Sequence, residues 1–375
     1  MSRVVTASLA LTLALLAGCA DPRDRQAGVV FGLIASLERN PSVADGAVLA
    51  ADQVNAAGGI AVGGRRETIE LVVADSANRP ESAVSAALTL INRDRAVVLL
   101  GLPRSHNAIP VAKIAEQHGI PLISTMSTHP ETTAGKRYVF RLAFVDSLQG
   151  RVLADFALRG LGGRRAAALV DAASAYSANL GEVFRRAFEE RGGDLVAFET
   201  FTDDDAEASE QLQRIGESGA EILFLPNYGR FVKLQTRKAR KSGITATFLG
   251  SDAWNNEDLR GHPEIRGSYF SDVWAPDRGD PTSRAFVEAY RRRFGAPPST
   301  GAALSYDAVS LIAEAIRSAG GTDPESIRRG LAAMSEFRGV TGIVSFHGSG
   351  DPLRNVFIKR IEDDGEIRLY EEIEP

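Results

Sequence analysis

Along most of this chain, short runs of apolar residues alternate with stretches in which apolar positions recur every three or four residues. Val29–Ala35 reads as a buried strand, after which Val43, Ala47, Ala50 and Val54 fall on one face of a helix. That helix meets a glycine stop at Ala57-Gly58-Gly59. Strands are predicted at Thr68–Val73, Ala96–Gly101 and Pro121–Ser124, with helices over 80–94 and 105–118 between them. The pattern restarts at Ala166–Val170. A helix follows with Leu180, Val183, Phe184, Ala187 and Phe188 on one face, then strands over 195–200, 221–225 and 246–249 separated by helices over 206–218 and 230–242. The Ala96 strand is followed 25 residues on by the Pro121 strand, and the Glu221 strand, again 25 residues on, by the Ala246 strand. Equal spacing of like elements predicts an α/β fold of two similar Rossmann-like lobes, each a parallel sheet flanked by helices. The tail departs from this rhythm. Helices are predicted over 284–294, 302–319 and 324–334, and then strands over 342–346 and 355–361 across a Gly-Ser-Gly-Asp-Pro turn.

Length and charge narrow the classes. A chain of 375 residues has room for two cores. Its formal net charge of -5, with no basic cluster larger than Arg291-Arg292-Arg293, excludes the concentrated positive surface that nucleic acid requires. The amino terminus changes the picture more. After Met1-Ser2-Arg3, Val4–Ala17 is a run of 14 residues without charge, short for a permanent membrane helix and suited to a signal peptide. It ends Leu16-Ala17-Gly18-Cys19, which resembles the bacterial lipobox, and Cys19 is the only cysteine of the chain. The expectation is a signal peptide over 1–18, lipid attachment at Cys19, a polar tether over 19–27 and a folded part outside the cytoplasm, anchored to a membrane. One cysteine excludes an intrachain disulfide, and export excludes chemistry that depends on ATP or nicotinamide, so no cofactor is expected.

Open parallel sheets place their clefts beyond the carboxyl ends of the strands, so the strand-to-helix turns carry the candidate chemistry. In the first half these are 101–106, with Arg104, Ser105 and His106, and 124–130, with Met126, Ser127, Thr128 and His129. In the second half they are 171–176, ending in Tyr176, then 226–228, ending in Tyr228, and 250–252, ending in Asp252. One side supplies hydroxyls and a helix start that favours an anion. The other supplies a carboxylate and two phenols that suit an ammonium. Together they fit a zwitterion. Enzyme signatures are missing: there is no GxSxG, no HExxH and no phosphate loop, and the five histidines show no metal-ligand spacing. His106 and His129 stand on candidate turns but suit solvent-facing positions better, and Asp203-Asp204-Asp205 suits a helix cap better than a calcium loop.

These turns resemble those of the type I periplasmic-binding-fold receptors of ABC importers, the branched-chain amino-acid-binding family. The resemblance is carried by Ala51–Ile60, Gly119–Ser124, Pro130-Glu131, Phe140-Arg141, Asp146 with Gln149-Gly150, Tyr306-Asp307-Ala308 and Thr341-Gly342 with Phe346, in that order over nearly all of the mature chain. It implies a first lobe of residues 28–146 plus 275–336, a second of 147–274 plus 337–375, and a hinge of three crossings. It also implies that Ser105, Ser127 and Thr128 hold a carboxylate while Asp252, Tyr176 and Tyr228 hold or cover the amine. Arg104 and Met126 occupy turn positions where relatives carry small or apolar residues, and so bear on the ligand's side chain. The implied function is a monomeric solute receptor handing a small polar ligand to an ABC permease. The alternative is a sensor or regulatory protein of the same fold, without transport.

Overall fold

The computed structural model describes residues 28–254, 259 and 261–375; Cys19 and the leader expected around it lie outside these. The first sheet contains β1 (Val29–Ala35), β2 (Ile69–Asp75), β3 (Val98–Gly101), β4 (Leu122–Ser124) and β5 (Val139–Arg141), in the order β2-β1-β3-β4-β5. All its pairings are parallel. Helices α1 (Pro41–Ala56), α2 (Pro80–Asn92) and α3 (Ser105–His118) cover its two faces, so Phe31, Leu33 and Ile34 of β1 are all fully buried despite pointing to opposite sides.

The second lobe opens with α4 (Asp146–Asp155). Its sheet contains β6 (Arg165–Asp171), β7 (Asp194–Phe201), β8 (Ile222–Leu225), β9 (Thr247–Gly250), β10 (Tyr269–Asp272), β11 (Val356–Ile361) and β12 (Ile367–Ile373). These seven strands run in the order β12-β11-β10-β9-β8-β6-β7. Between them lie α5 (Ala175–Glu190), α6 (Ser209–Glu217) and α7 (Gly229–Lys241). The strands through β10 are parallel, whereas β11 enters antiparallel beside β10 and turns back into β12.

The tail returns first to the other lobe. Helices α8 (Pro281–Phe294), α9 (Thr300–Ala319) and α10 (Pro324–Ala332) pack there, and α9 buries Leu304, Ala308, Leu311, Ile312, Ala315 and Ile316 against α1 and the first sheet. The two tail strands form where the sequence predicts, over Gly342–Val344 and Val356–Ile361, but do not pair with each other. Gly342–Val344 pairs with Phe337–Gly339, and only the Ser345–Leu353 bridge spans the turn. The reason is burial: Val356, Phe357, Ile358 and Ile361 are apolar on both faces and take a central place in a sheet instead. The stretch before them, placed by the resemblance with the second lobe, lies on the first: Phe346 meets Phe140 edge-on at 5.2 Å, and Asp351 pairs with Arg141 at 2.6 Å.

The chain thus passes between lobes after β5, after β10 and before β11. Arg354, on the third passage, is buried and donates to the carbonyl oxygens of Leu142 on the first, of Val273 on the second at 2.8 Å, and of Thr341 at 2.9 Å. Thr341 is held in turn by Asp307 of α9, whose carboxylate accepts from the Val340 and Thr341 amides and the Thr341 hydroxyl at 2.7, 2.9 and 2.6 Å. Among the described residues, no helix is long and apolar enough to cross a membrane.

Candidate functional site

In the first lobe, the turn from β3 into α3 takes two residues in succession into the left-handed region, Gly101 at φ 108° and Leu102 at φ 57°. A Cβ on Gly101 would stand 2.3 Å from the Ile34 carbonyl oxygen, so only glycine fits, and a leucine at positive φ costs about 1–3 kcal/mol. This tight reversal brings Ser105, first residue of α3, to the end of the sheet. The Ser127 hydroxyl donates to Ser105 Oγ at 2.9 Å and lies 2.7 Å from Thr132 Oγ1. Behind this turn, the buried Arg141 guanidinium donates to the carbonyls of Ser127 at 2.9 Å and His129 at 3.0 Å. The Thr128 carbonyl accepts from the Asp146 amide at 2.9 Å.

In the second lobe, the centre is Asp252, on a short turn after β9. A Cβ on Gly250 would stand 2.2 Å from the Trp254 ring, so glycine lets the indole fold under the turn and donate to the Leu225 carbonyl at 2.9 Å. The Tyr176 hydroxyl and Gln149 Nε2 donate to the same carboxylate oxygen, Asp252 Oδ1, at 2.6 and 2.7 Å. Gln149 Nε2 also donates to Ser271 Oγ at 2.8 Å. Burial pushes the Asp252 pKa up to about 6, although the Tyr176 and Gln149 donors pull it back. Asp146 follows the same logic more strongly: burial raises it to about 7 against the pull of Thr128 and of Asn179, whose amide donates to Oδ2 at 2.7 Å. Burial, then the neighbouring Asp252, raise the Tyr176 phenol well above its usual range, so it stays a donor. A buried carboxylate that carries its charge reluctantly gains most from a cation, and of these two acids Asp252 is the one that lines the cleft.

Both lobes line a cavity of about 330 Å3, within the range of small-molecule sites. Arg104 and Met126 line it from the first lobe, Tyr228 and Asp252 from the second. The Arg104 guanidinium carbon lies 3.9 Å from the centre of the Tyr228 ring and so spans the cleft. Tyr228 in turn stacks on Tyr176, ring centres 5.5 Å apart. Ser105, Ser127, Thr128 and Tyr176 are buried and do not line the cavity; Ser105 follows Arg104 in the chain and Tyr176 lies under Tyr228. His106 and His129 do not line it: His106 meets the Asn78 carbonyl at 3.3 Å, and His129 accepts from the Glu131 amide at 3.2 Å. A larger cavity of about 480 Å3 near Trp274 and Pro298 contains Lys359, whose charge is already matched by Asp272. Among the described residues, no group of three or more His, Cys, Asp or Glu is placed to hold a metal ion.

Gln149, Ser271 and Asn179 entered no sequence expectation as site residues. The available signal was Asp146 and Gln149 three apart, and so on one face of a helix, both buried. A polar pair on a buried helical face needs partners.

Residues 32–366 match the family model described as periplasmic binding protein. An amino acid binding protein of Pseudomonas aeruginosa is 31% identical over 287 residues, 74% of either chain. A leucine-, isoleucine-, valine-, threonine- and alanine-binding protein of the same species is 27% identical over 311 residues, 82% of this chain and 81% of the other. The structure is also similar to that of a branched-chain amino acid transporter substrate binding protein from Streptococcus pneumoniae in complex with isoleucine. The TM-score is 0.85 at 27% identity, covering 93% of this chain and 100% of the other.

Proposed function

The chain belongs to the periplasmic binding protein family, and on that premise we propose that it is the extracytoplasmic receptor of an ABC importer that captures an amino acid between its lobes. The observation that carries this reading is the opposed polarity of the cleft walls. The Ser105 hydroxyl at the start of α3, with those of Ser127 and Thr128 on the turn after β4, suits a carboxylate, and Asp252 on the opposite wall suits an ammonium. The relatives' amino-acid ligands favour the same assignment. Met126 and Arg104 then face the ligand's side chain, and Tyr228 covers it.

The contacts of Phe346 and Asp351 favour lobes of 28–146 with 275–353 and of 147–274 with 354–375. Closure would present the receptor to its permease. Lipid at Cys19 would keep the monomer at the membrane. Cys19→Ser should then release folded protein into the soluble fraction, whereas an unchanged membrane fraction would remove the anchor from this reading.

A thermal-shift screen against the twenty amino acids tests the function itself. A ligand at 100 times its Kd stabilises the fold by about 2.7 kcal/mol. Leucine, isoleucine or valine should raise the melting temperature. If none of the twenty does so and an organic anion without an amine does, the amino-acid reading is wrong.

A further inference from the structure

Gln149 is a buried amide with an uneven set of partners. It is fully buried, and its amide turns the nitrogen side toward Asp252 and Ser271 while, among the described residues, Oε1 is buried without a partner. An unsatisfied buried acceptor is a cost, so this amide is poorly arranged for stability alone. It is well arranged for one other purpose. With Tyr176 it donates to Asp252 Oδ1, so both side-chain donors hold one oxygen of a carboxylate whose residue lines the cleft.

Building on the amino-acid reading above, we propose that Gln149 is a positioning residue for ammonium recognition: it aims the Asp252 carboxylate from behind without touching the ligand. The placement of its partners supports this. Gln149 stands on α4 just after the first passage between lobes, and Ser271 stands on β10 just before the second. The amide therefore ties the Asp252 turn to the two elements nearest the hinge. A carboxylate held this way keeps one orientation before ligand arrives, which removes an ordering cost from binding. Tyr176, Tyr228, Asp146 and Asp272 are the other ionisable groups coupled to Asp252.

The test uses the full chain, Gln149→Met, which keeps the volume and removes the donor, and Gln149→Glu, which keeps the shape and faces Asp252 with a second acid. Circular dichroism and melting establish that each variant is folded. Calorimetry with leucine and with 4-methylpentanoate, the same acid without its amine, then reads the role. Affinity for leucine should fall about tenfold in Gln149→Met, and further in Gln149→Glu, as expected when a hydrogen bond to a charged group is lost. Affinity for 4-methylpentanoate should not change. In an Asp252→Asn background, Gln149→Met should add almost nothing, because the two residues act as a unit. Equal loss for both ligands would reduce Gln149 to packing and overturn the proposal. So would full affinity for leucine in Gln149→Met.

A measurement on the ligand-free protein separates this proposal from the function it rests on. Carbon NMR of the Asp252 carboxyl should show its pKa rising in Gln149→Met, since the lost donor favoured the ionised form. If the unmodified protein binds no amino acid, the proposed function fails, and an unmoved Asp252 titration then overturns the positioning role independently.

Discussion

The two walls of the cleft reach polarity by different means. The first lobe combines hydroxyls bonded to one another, a helix start, Arg104 at the cavity wall, and behind the turn a buried arginine whose charge is matched at Asp351. The second relies on one carboxylate, Asp252, that burial makes reluctant to ionise, held by an amide and a phenol. Neutral donors in a low-dielectric site contribute modestly, about 0.5–1.5 kcal/mol each, whereas hydrogen bonds to charged groups contribute about 1.5–3 kcal/mol. The second lobe should therefore dominate affinity, and the first should chiefly fix which way round the ligand lies.

The sharpest way to break that asymmetry is Asp252→Asn. It preserves shape and removes the charge, so leucine affinity should fall roughly 10–100-fold by calorimetry. An analogue lacking the amine should bind the variant as it binds the parent protein. A loss no larger than that of Ser105→Ala would make the lobes equal partners and end the comparison.

Lowering the pH attacks the same wall without a mutation. As pH falls through about 6, Asp252 in the ligand-free protein becomes protonated and loses its attraction for an ammonium. Affinity should then fall towards tenfold for each further pH unit, a slope set by one proton. Stability should move the other way. Asp252, Asp146 and Asp307 are raised by burial to about 6, 7 and 6, so between these values and the unfolded range the native state binds more protons. Their contribution to ligand-free stability therefore grows as pH falls from about 7.5 to 5. His106 and His129, lowered by burial, oppose it. Melting and calorimetry across this range should diverge, with less divergence in Asp252→Asn; parallel loss of both would place the titration elsewhere.

Ser105→Ala should weaken binding a few-fold, about 1 kcal/mol, because neighbouring N–H groups still face the carboxylate. Its loss should be the same for an acid with or without an amine. A loss confined to the amine-bearing ligand would reverse the assigned orientation. The smallest effect is expected from Arg104→Leu. Its contact with Tyr228 spans the cleft, and a cation–π contact at a partly exposed site contributes about 0.5–1 kcal/mol. Dissociation in stopped flow should quicken two- to fivefold; an unchanged rate would mean the contact does not hold the lobes together.

The sequence reveals these two walls unequally. Glycine and serine signals mark the turns of the first lobe, and helix α3 begins at Ser105, where its pattern predicts. The alternation of strands and helices likewise makes the α/β lobes legible. Several elements escape it, the three-residue strands Val139–Arg141 and Phe337–Gly339 among them. Tyr269–Asp272 is too short to show a period, and Ile367–Ile373 carries acids and an arginine between its apolar positions. Asp155 and below, α4 buries polar side chains, so its inner face does not look apolar. In the second wall, Asp252 can be recognised by residue type. Its partner Gln149 lies 103 positions away and Ser271 lies 122 from Gln149, distances over which no local pattern reports. Charge is visible in a sequence; the donors that aim it are brought there by topology.

Arg354 has a consequence for the order in which the molecule can be made. Its acceptors at Leu142, Val273 and Thr341 lie 212, 81 and 13 positions earlier in the chain. A chain synthesised, or drawn through a membrane, from its amino terminus has both earlier passages in place long before the side chain that joins them. Contacts so remote in sequence form late, because the loops they close are long. Until residue 354 emerges, three buried carbonyls lack their donor and the last two strands of the second sheet are missing. A chain made only as far as residue 353 therefore has an incomplete second lobe and no donor joining its passages, and both arrive together with residues 354–373.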